Sequence, residues 1–290
     1  MDSNWRFATR VSTVPALLGL AGCLTAFQVA ATPFIFNTGN VDGKIATASR
    51  PAGAGKSEIE SADDFVITSS TTINSATFTG LLTSTGGLTP TVGDVRVEIY
   101  HVFPKDSAIP PSGNVPTRAN SPSDVTFRDF DAVVGGLTFS TSVLTNSFTA
   151  LNSVMTGINP APNQTNGGEG PVNGQEVTFS VTFTTPFDLP ADHYYFVPQV
   201  QVTDGEFLWL SAARPIGATG TPFSPDLQTW IRNENLAPDW LRVGTDIVGG
   251  NPAPTFNAAF SLNGRTIPEP GTFVLLLLGL ASIVWRRLRQ

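Results

Sequence analysis

Four carboxylates fall within seven residues, Glu58, Glu60, Asp63 and Asp64, just ahead of the apolar run Phe65-Val66-Ile67. Crowded oxygen ligands are what calcium takes, so Asp63 and Asp64 are candidate ligands of a structural calcium. The spacing is not that of an EF-hand, and adjacent side chains on a strand point to opposite faces. The alternative is a solvated Asp63 and an Asp64 that caps or pairs locally. A second group lies between Asp226 and Val243, a stretch denser in Trp, Arg and acid than its surroundings. Its candidate ligand contacts are Trp230, Arg232, Asp239, Trp240 and Arg242. With Trp209, Tyr194 and Tyr195, these aromatics offer flat apolar faces on which a sugar ring stacks. The competing reading is that the aromatics fill a core and the stretch is a lid over one end of it.

Catalytic patterns are scarce. The chain has no Gly-x-Ser-x-Gly, no His-Glu-x-x-His and no Gly-rich phosphate loop. His101 and His193 are its two histidines, and each reads as a sheet-packing or surface residue. No pair of carboxyls is singled out for glycoside hydrolysis, which needs two of them across a cleft. No enzymatic activity is expected. The single cysteine, Cys23, lies in the apolar N-terminal stretch, so the body has no disulfide, thiol nucleophile or cysteine metal site.

The elements that must hold these residues are strands. Thr, Ser, Val, Phe, Gly and Pro dominate, and period-two alternation recurs between turn clusters. In Asp94 to Phe103, Val95, Val97 and Ile99 face one way while Arg96, Glu98 and Tyr100 face the other. Asp63 to Thr68, Ile73 to Leu82, Leu137 to Phe148, Glu176 to Thr184, His193 to Val202, Glu206 to Ser211 and Pro254 to Leu262 read as further strands. Ser224 to Asn235 and Pro238 to Val243 each fit a short helical turn. Two long loops, Pro104 to Ser123 with five prolines and the polar stretch Asn159 to Gln175, are expected to be exposed and mobile. The predicted fold class is all-β, a single antiparallel two-sheet sandwich (jelly-roll-like) with long loops, plus an N-terminal signal helix and a C-terminal transmembrane helix. Without its terminal segments the chain keeps 11 basic and 21 acidic residues, net −10. Such a body lacks the basic face that nucleic acid requires.

Both ends read as addresses. Residues 1–31 carry Arg6 and Arg10 before a small, apolar stretch, the form of a signal peptide. Cleavage after Ala31, at Val29-Ala30-Ala31, is the reading adopted. The alternative is lipidation of Cys23, since Leu20-Ala21-Gly22-Cys23 resembles a lipobox. The β-sandwich domain is then 32–266. At the other end, Phe273 to Trp285 is thirteen residues without charge, about 20 Å long as a helix. That is short for a hydrocarbon core of about 30 Å, so a span over 272–285 relies on local thinning and snorkelling arginines. Arg286, Arg287 and Arg289 hold that end in the cytoplasm and put the body outside.

Pro268-Glu269-Pro270, an apolar helix and a terminal arginine cluster resemble the PEP-CTERM sorting signal of Gram-negative bacteria, over residues 267–290. The departure is Ile267, where many members carry Val. The resemblance implies export, transient membrane anchoring, cleavage near Pro268-Glu269-Pro270 by exosortase, and a cell-surface or biofilm-matrix destination. A looser resemblance covers Phe187 to Phe196, Phe207 to Ser211 and Phe256 to Gly264, which are similar to the closing strands of secreted sandwich modules with carbohydrate-binding relatives. The leading reading is a non-catalytic surface or matrix protein sorted through its tail. An exopolysaccharide-binding module is the alternative, and a secreted hydrolase a third.

Overall fold

The computed structural model describes residues 31–268, except 54, 88, 111, 159–164 and 217–225, together with Gly279 and Arg287. The expected signal helix, Cys23, and the tail from Glu269 onward apart from Gly279 and Arg287 lie outside the described residues. Among the described residues no helix is long and apolar enough to cross a membrane. Residues Ala30–Glu269 group as one compact unit.

The unit is all-β. Its strands in chain order are β1 (Pro33–Asn37), β2 (Val41–Ala48), β3 (Ile59–Ile67), β4 (Thr71–Ser84), β5 (Thr91–His101), β6 (Arg128–Asp131), β7 (Leu137–Ala150) and β8 (Ser153–Val154). They continue with β9 (Val172–Leu189), β10 (Asp192–Thr203), β11 (Gly205–Ala212), β12 (Trp230–Asn233), β13 (Leu241–Arg242), β14 (Asn257–Ala258) and β15 (Phe260–Thr266). Two sheets result. The larger has nine strands, with β4 at its centre between β9 on one side and β15 and β11 on the other, and β7 beyond β9. The smaller runs β13-β12-β3-β10-β5-β6. Every pairing is antiparallel except β2 with β8, which departs from the fully antiparallel sandwich expected.

Alternation explains the layering. Val95, Val97 and Ile99 of β5 turn inward, as do Val177, Phe179, Val181 and Phe183 of β9, and they meet in the core between the sheets. Phe196 of β10 stacks on Phe260 of β15 at 5.0 Å, tying one sheet to the other. Each such ring contributes roughly 1.5–3 kcal/mol by leaving water, and no disulfide is needed. Trp209 also belongs to this core, where its Nε1 donates to the Ala259 carbonyl at 2.9 Å. Gly80 is required where β4 meets β11, since a Cβ there would fall 2.6 Å from the Leu208 carbonyl oxygen.

Three local expectations are corrected. The segment read as helical turns instead contains β12, which pairs with β3 through Trp230↔Ala62 and Arg232↔Glu60, and β13. What helix follows is one π-helical turn, Val243–Val248. Tertiary pairing overrides a weak local preference here. The proline-rich loop after β5 is not simply exposed: Val115, Arg118, Ser121 and Ser123 are buried, and the loop folds onto the outer face of the smaller sheet. The second loop is shorter than expected, since Val172 to Gln175 already belong to β9; Thr165 to Gly167 are exposed as expected, and so is Glu169, which is nevertheless tied down. Its Oε1 accepts the backbone N–H groups of Met155, Thr156 and Gly157 at 2.9, 2.5 and 2.8 Å.

Candidate functional site

The outer face of the smaller sheet carries the unusual chemistry. Alternation along β3, β5, β10 and β12 places Glu60, Glu98, Tyr100, Tyr195, Trp230 and Arg232 on this side, away from the inter-sheet core. An open sheet would leave them in water. Here the folded proline-rich loop and residues 233–242 cover them, and Tyr100, Tyr195, Trp230 and Trp240 form a small apolar cluster of their own.

Arg232 is the hub. Its Nε and Nη2 fork onto Glu60, the Nη2 contact to Oε1 being 3.0 Å, and Nη2 also donates to Tyr100 Oη at 2.9 Å. Nη1 reaches the carbonyls of Asp124 and Pro238, both at 3.3 Å. Its guanidinium plane lies over the Trp240 ring at 4.2 Å. All three nitrogens are thus engaged, so Arg232 binds the cap rather than a visiting ligand. Tyr100 Oη is 2.6 Å from Glu60 Oε1 and 2.8 Å from Glu98 Oε2. One phenol proton cannot serve both carboxylates. Burial, and then the charge of Glu60, push Glu98 up to about 9, so it is protonated at neutral pH and supplies the missing hydrogen.

A second buried arginine closes the cap. Arg118 Nη1 donates to Asp239 Oδ1 at 2.7 Å, its Nη2 pairs with Asp124, and Nε reaches Ser121 Oγ at 3.1 Å. Asp239 is 0% exposed and is also held by the Ser112 hydroxyl. Trp240 Nε1 donates to the Ser123 carbonyl at 3.2 Å, and Tyr195 donates to the Asn120 carbonyl. The five residues expected to contact a ligand are therefore divided. Trp230 and Trp240, 1% and 0% exposed, show no open ring face to a sugar, and Arg232 and Asp239 are consumed inside the cap. Arg242 stays outside the cap, partly exposed and paired with the buried Asp246 at 2.6 Å.

Asp63 and Asp64 point to opposite faces of β3. Asp63 Oδ2 accepts the Ala258 N–H at 2.8 Å and Oδ1 the Thr229 hydroxyl at 3.4 Å. Asp64 meets His193 Nε2 at 2.6 Å. Among the described residues no group of three or more His, Cys, Asp or Glu is placed to hold a metal ion. His101 is buried against Phe127 and pairs with Asp106.

Among the described residues an opening reaches this region. A cleft of about 230 Å³ is lined by Asn120, Arg214, Asp226, Gln228, Trp230 and Arg242, among others. Trp230 lines the cleft, but its Nε1 is buried beside Tyr195. Arg214 pairs with Asp226 at 3.0 Å, yet burial, its largest influence, still carries Asp226 up to about 6. The cleft walls thus offer amides, guanidinium groups and one carboxyl that changes its charge in mildly acidic solution. None of Asn120, Arg214 and Gln228 was legible as a site residue, because loop-borne polar residues of this kind carry no spacing signal. Two other concavities, about 340 Å³ beside Thr77, Thr178 and Glu176 and about 470 Å³ beside Asn146, Asn173 and Gln175, lie on the larger sheet.

The raised carboxyls give a pH prediction. Glu98, Asp226 and Asp63, the last raised mainly by burial and then by the charge of Asp64, bind protons in the folded chain where the unfolded chain has released them. Their contribution is whole below the unfolded values near 4 and is lost as pH rises, through about 6 for Asp226 and about 9 for Glu98. Glu169 and Asp192, whose shifts are downward, act only below that window. Thermal unfolding at pH 5 should therefore show a midpoint several degrees above that at pH 9, since about 1 kcal/mol moves the midpoint by about 2–4 °C in a chain of this size. An equal or lower midpoint at pH 5 would remove the proton from Glu98.

The last strand leads directly into the tail. Thr266 N–H donates to the Thr32 carbonyl at 2.9 Å, and Ile267 N–H to that of Ser70 at 2.7 Å. The two ends of the sandwich thus leave it side by side, β1 pairing with β15. Residues 266–289 match the family model for the PEP-CTERM protein-sorting motif. No curated protein and no solved structure matches the chain. The protein is thus a two-sheet β-sandwich that carries a PEP-CTERM sorting motif at its C-terminus. That motif implies an exported protein sorted through exosortase and associated with the membrane during sorting.

Proposed function

We propose that this is a non-catalytic protein of the cell surface or biofilm matrix. It is held at the membrane by residues 272–285 with its body outside, and is released or re-attached after processing near Pro268-Glu269-Pro270. The observation that carries this reading is the motif match at 266–289, placed directly after β15 so that cleavage cuts no strand of the sandwich. A jelly-roll-like topology is the finer reading of the fold, supported by neighbours far apart in sequence such as β1 with β15 and β3 with β12. Intact-mass measurement of the protein recovered from outside the cell tests processing. Loss of the residues after the Pro-Glu-Pro triplet is expected, and an intact Arg286 to Gln290 terminus would overturn it.

The cleft favours a second reading, binding of exopolysaccharide. Amides and guanidinium groups suit hydroxyl and carboxylate groups of an acidic sugar, and the neighbouring cap supplies a rigid wall. Calorimetric titration with acidic and neutral oligosaccharides should give binding to the acidic one, weakened about tenfold or more by Arg242→Ala or Gln228→Ala. Equal affinity in wild type and both variants would place any sugar elsewhere.

A further inference from the structure

Sheet edges are where β proteins must guard against pairing with other chains. Four edges of this sandwich are guarded. β8 and β13 have two residues each, β1 has five and begins with Pro33, and β6 is the charged Arg128-Asp129-Phe130-Asp131. The fifth is different. β7 is fourteen residues long, contains no charged residue, proline or glycine, and among the described residues it pairs only with β9.

The first half of β7 is regular. From Leu137↔Phe183 to Val143↔Val177 its register with β9 is unbroken, and irregularities begin only after Val143. Leu137 is buried and Phe139 packs on the core, which fixes the strand, while Thr138, Ser140, Thr141 and Ser142 are exposed. Exposed apolar residues flank this stretch, Val133 and Val134 at 73% and 80% before it and Val143 and Leu144 at 50% and 56% at its end.

We propose that the free edge of Leu137 to Val143 pairs antiparallel with the same segment of a second copy of this chain. An antiparallel strand is its own complement about a two-fold axis, so one surface suffices for both partners. Charge selects the same site. A body of net −10 repels its copies over most of its surface, and β7 is a long strand with no charge to add to that repulsion. Serine and threonine pairs across the new ladder, with the flanking valines, supply its side-chain contacts.

Sedimentation velocity of the full chain in mild detergent tests this. The wild type should sediment as two copies, more completely as salt screens the bodies. Ser140→Lys combined with Ser142→Lys, both exposed positions, should halve the sedimenting mass while leaving circular dichroism unchanged. A wild type that stays at one copy overturns the proposal, as does a double variant that remains paired. Should the lysine variant misfold, Ser140→Cys in a Cys23→Ser background replaces it. Ser140 lies at the centre of the paired segment, so oxidation should cross-link two chains, whereas Ser147→Cys should not. The reverse pattern would overturn the pairing.

Discussion

Arg232→Met is expected to destabilise the sandwich by about 3–5 kcal/mol, lowering its thermal midpoint by on the order of 10 °C. The cost comes less from the lost contacts than from what stays behind. Glu60 is 4% exposed and loses its fork partner, so a buried carboxyl group is left with its hydrogen-bonding capacity unmet. Methionine fills most of the volume, so cavity formation adds little. Replacing Glu60 by Met as well should recover much of the loss, because a buried pair exchanged whole for apolar side chains is close to neutral. Arg232→Lys should fall between, since an ammonium cannot fork onto both oxygens. Chemical denaturation of the four proteins measures this cycle. A single-variant loss under about 1 kcal/mol would mean that Arg232 faces solvent.

The second large effect is Trp240→Ala, at about 3–5 kcal/mol. The indole fills the space between the proline-rich loop and the smaller sheet, packs edge-on against Tyr100 at 5.5 Å, and ties the loop through Ser123. Its removal unseats Arg232 from one face. Arg242→Ala, by contrast, removes a partly exposed guanidinium from the buried Asp246, which keeps the Arg242 backbone N–H, and should cost about 1–3 kcal/mol. The contrast separates two roles that the residues of 226–243 shared on paper. The larger loss of stability in the Trp240 variant marks a scaffold, and loss of ligand by an Arg242 variant that is still fully folded marks a binding wall. A Trp240→Ala protein as stable as wild type would place that indole outside the packed cap.

Strand content was legible where alternation was strong. β5, β7, β9, β10 and β11 lie where Val, Phe and Thr alternate with polar residues, because one buried face imposes that pattern directly. β1, β2, β6, β8, β12 and β13 are not legible in this way. β12 is four residues long and becomes a strand by lying between β13 and β3, the latter about 170 residues earlier in the chain. The candidate site failed to read for the same reason. Glu60 and Arg232 sit directly opposite each other across two strands, and nothing local in either stretch records it. Glu98 and Tyr100 occupied the polar face of the clearest strand, and polar faces are read as solvated until something covers them. The covering loop was itself rich in proline and polar residues, the usual marks of an exposed connection. Only its buried anchors, Val115 and Arg118, distinguish it.

The tail shows the opposite balance. Its meaning resides in consecutive residues, Pro268-Glu269-Pro270, an uncharged run and three arginines, so it is legible without any fold. The sandwich limits what the tail must do. Among the described residues the last strand, β15, ends at Thr266 and closes on Thr32, so removal of residues 268–290 is expected to leave every described strand whole.

Cell fractionation of the wild type and of a chain lacking 268–290 therefore tests the central claim most directly. The wild type should be recovered with the membrane and the cell surface, and the shortened chain should appear in the surrounding medium with its unfolding midpoint unchanged. An identical distribution of the two would contradict sorting through the C-terminal motif.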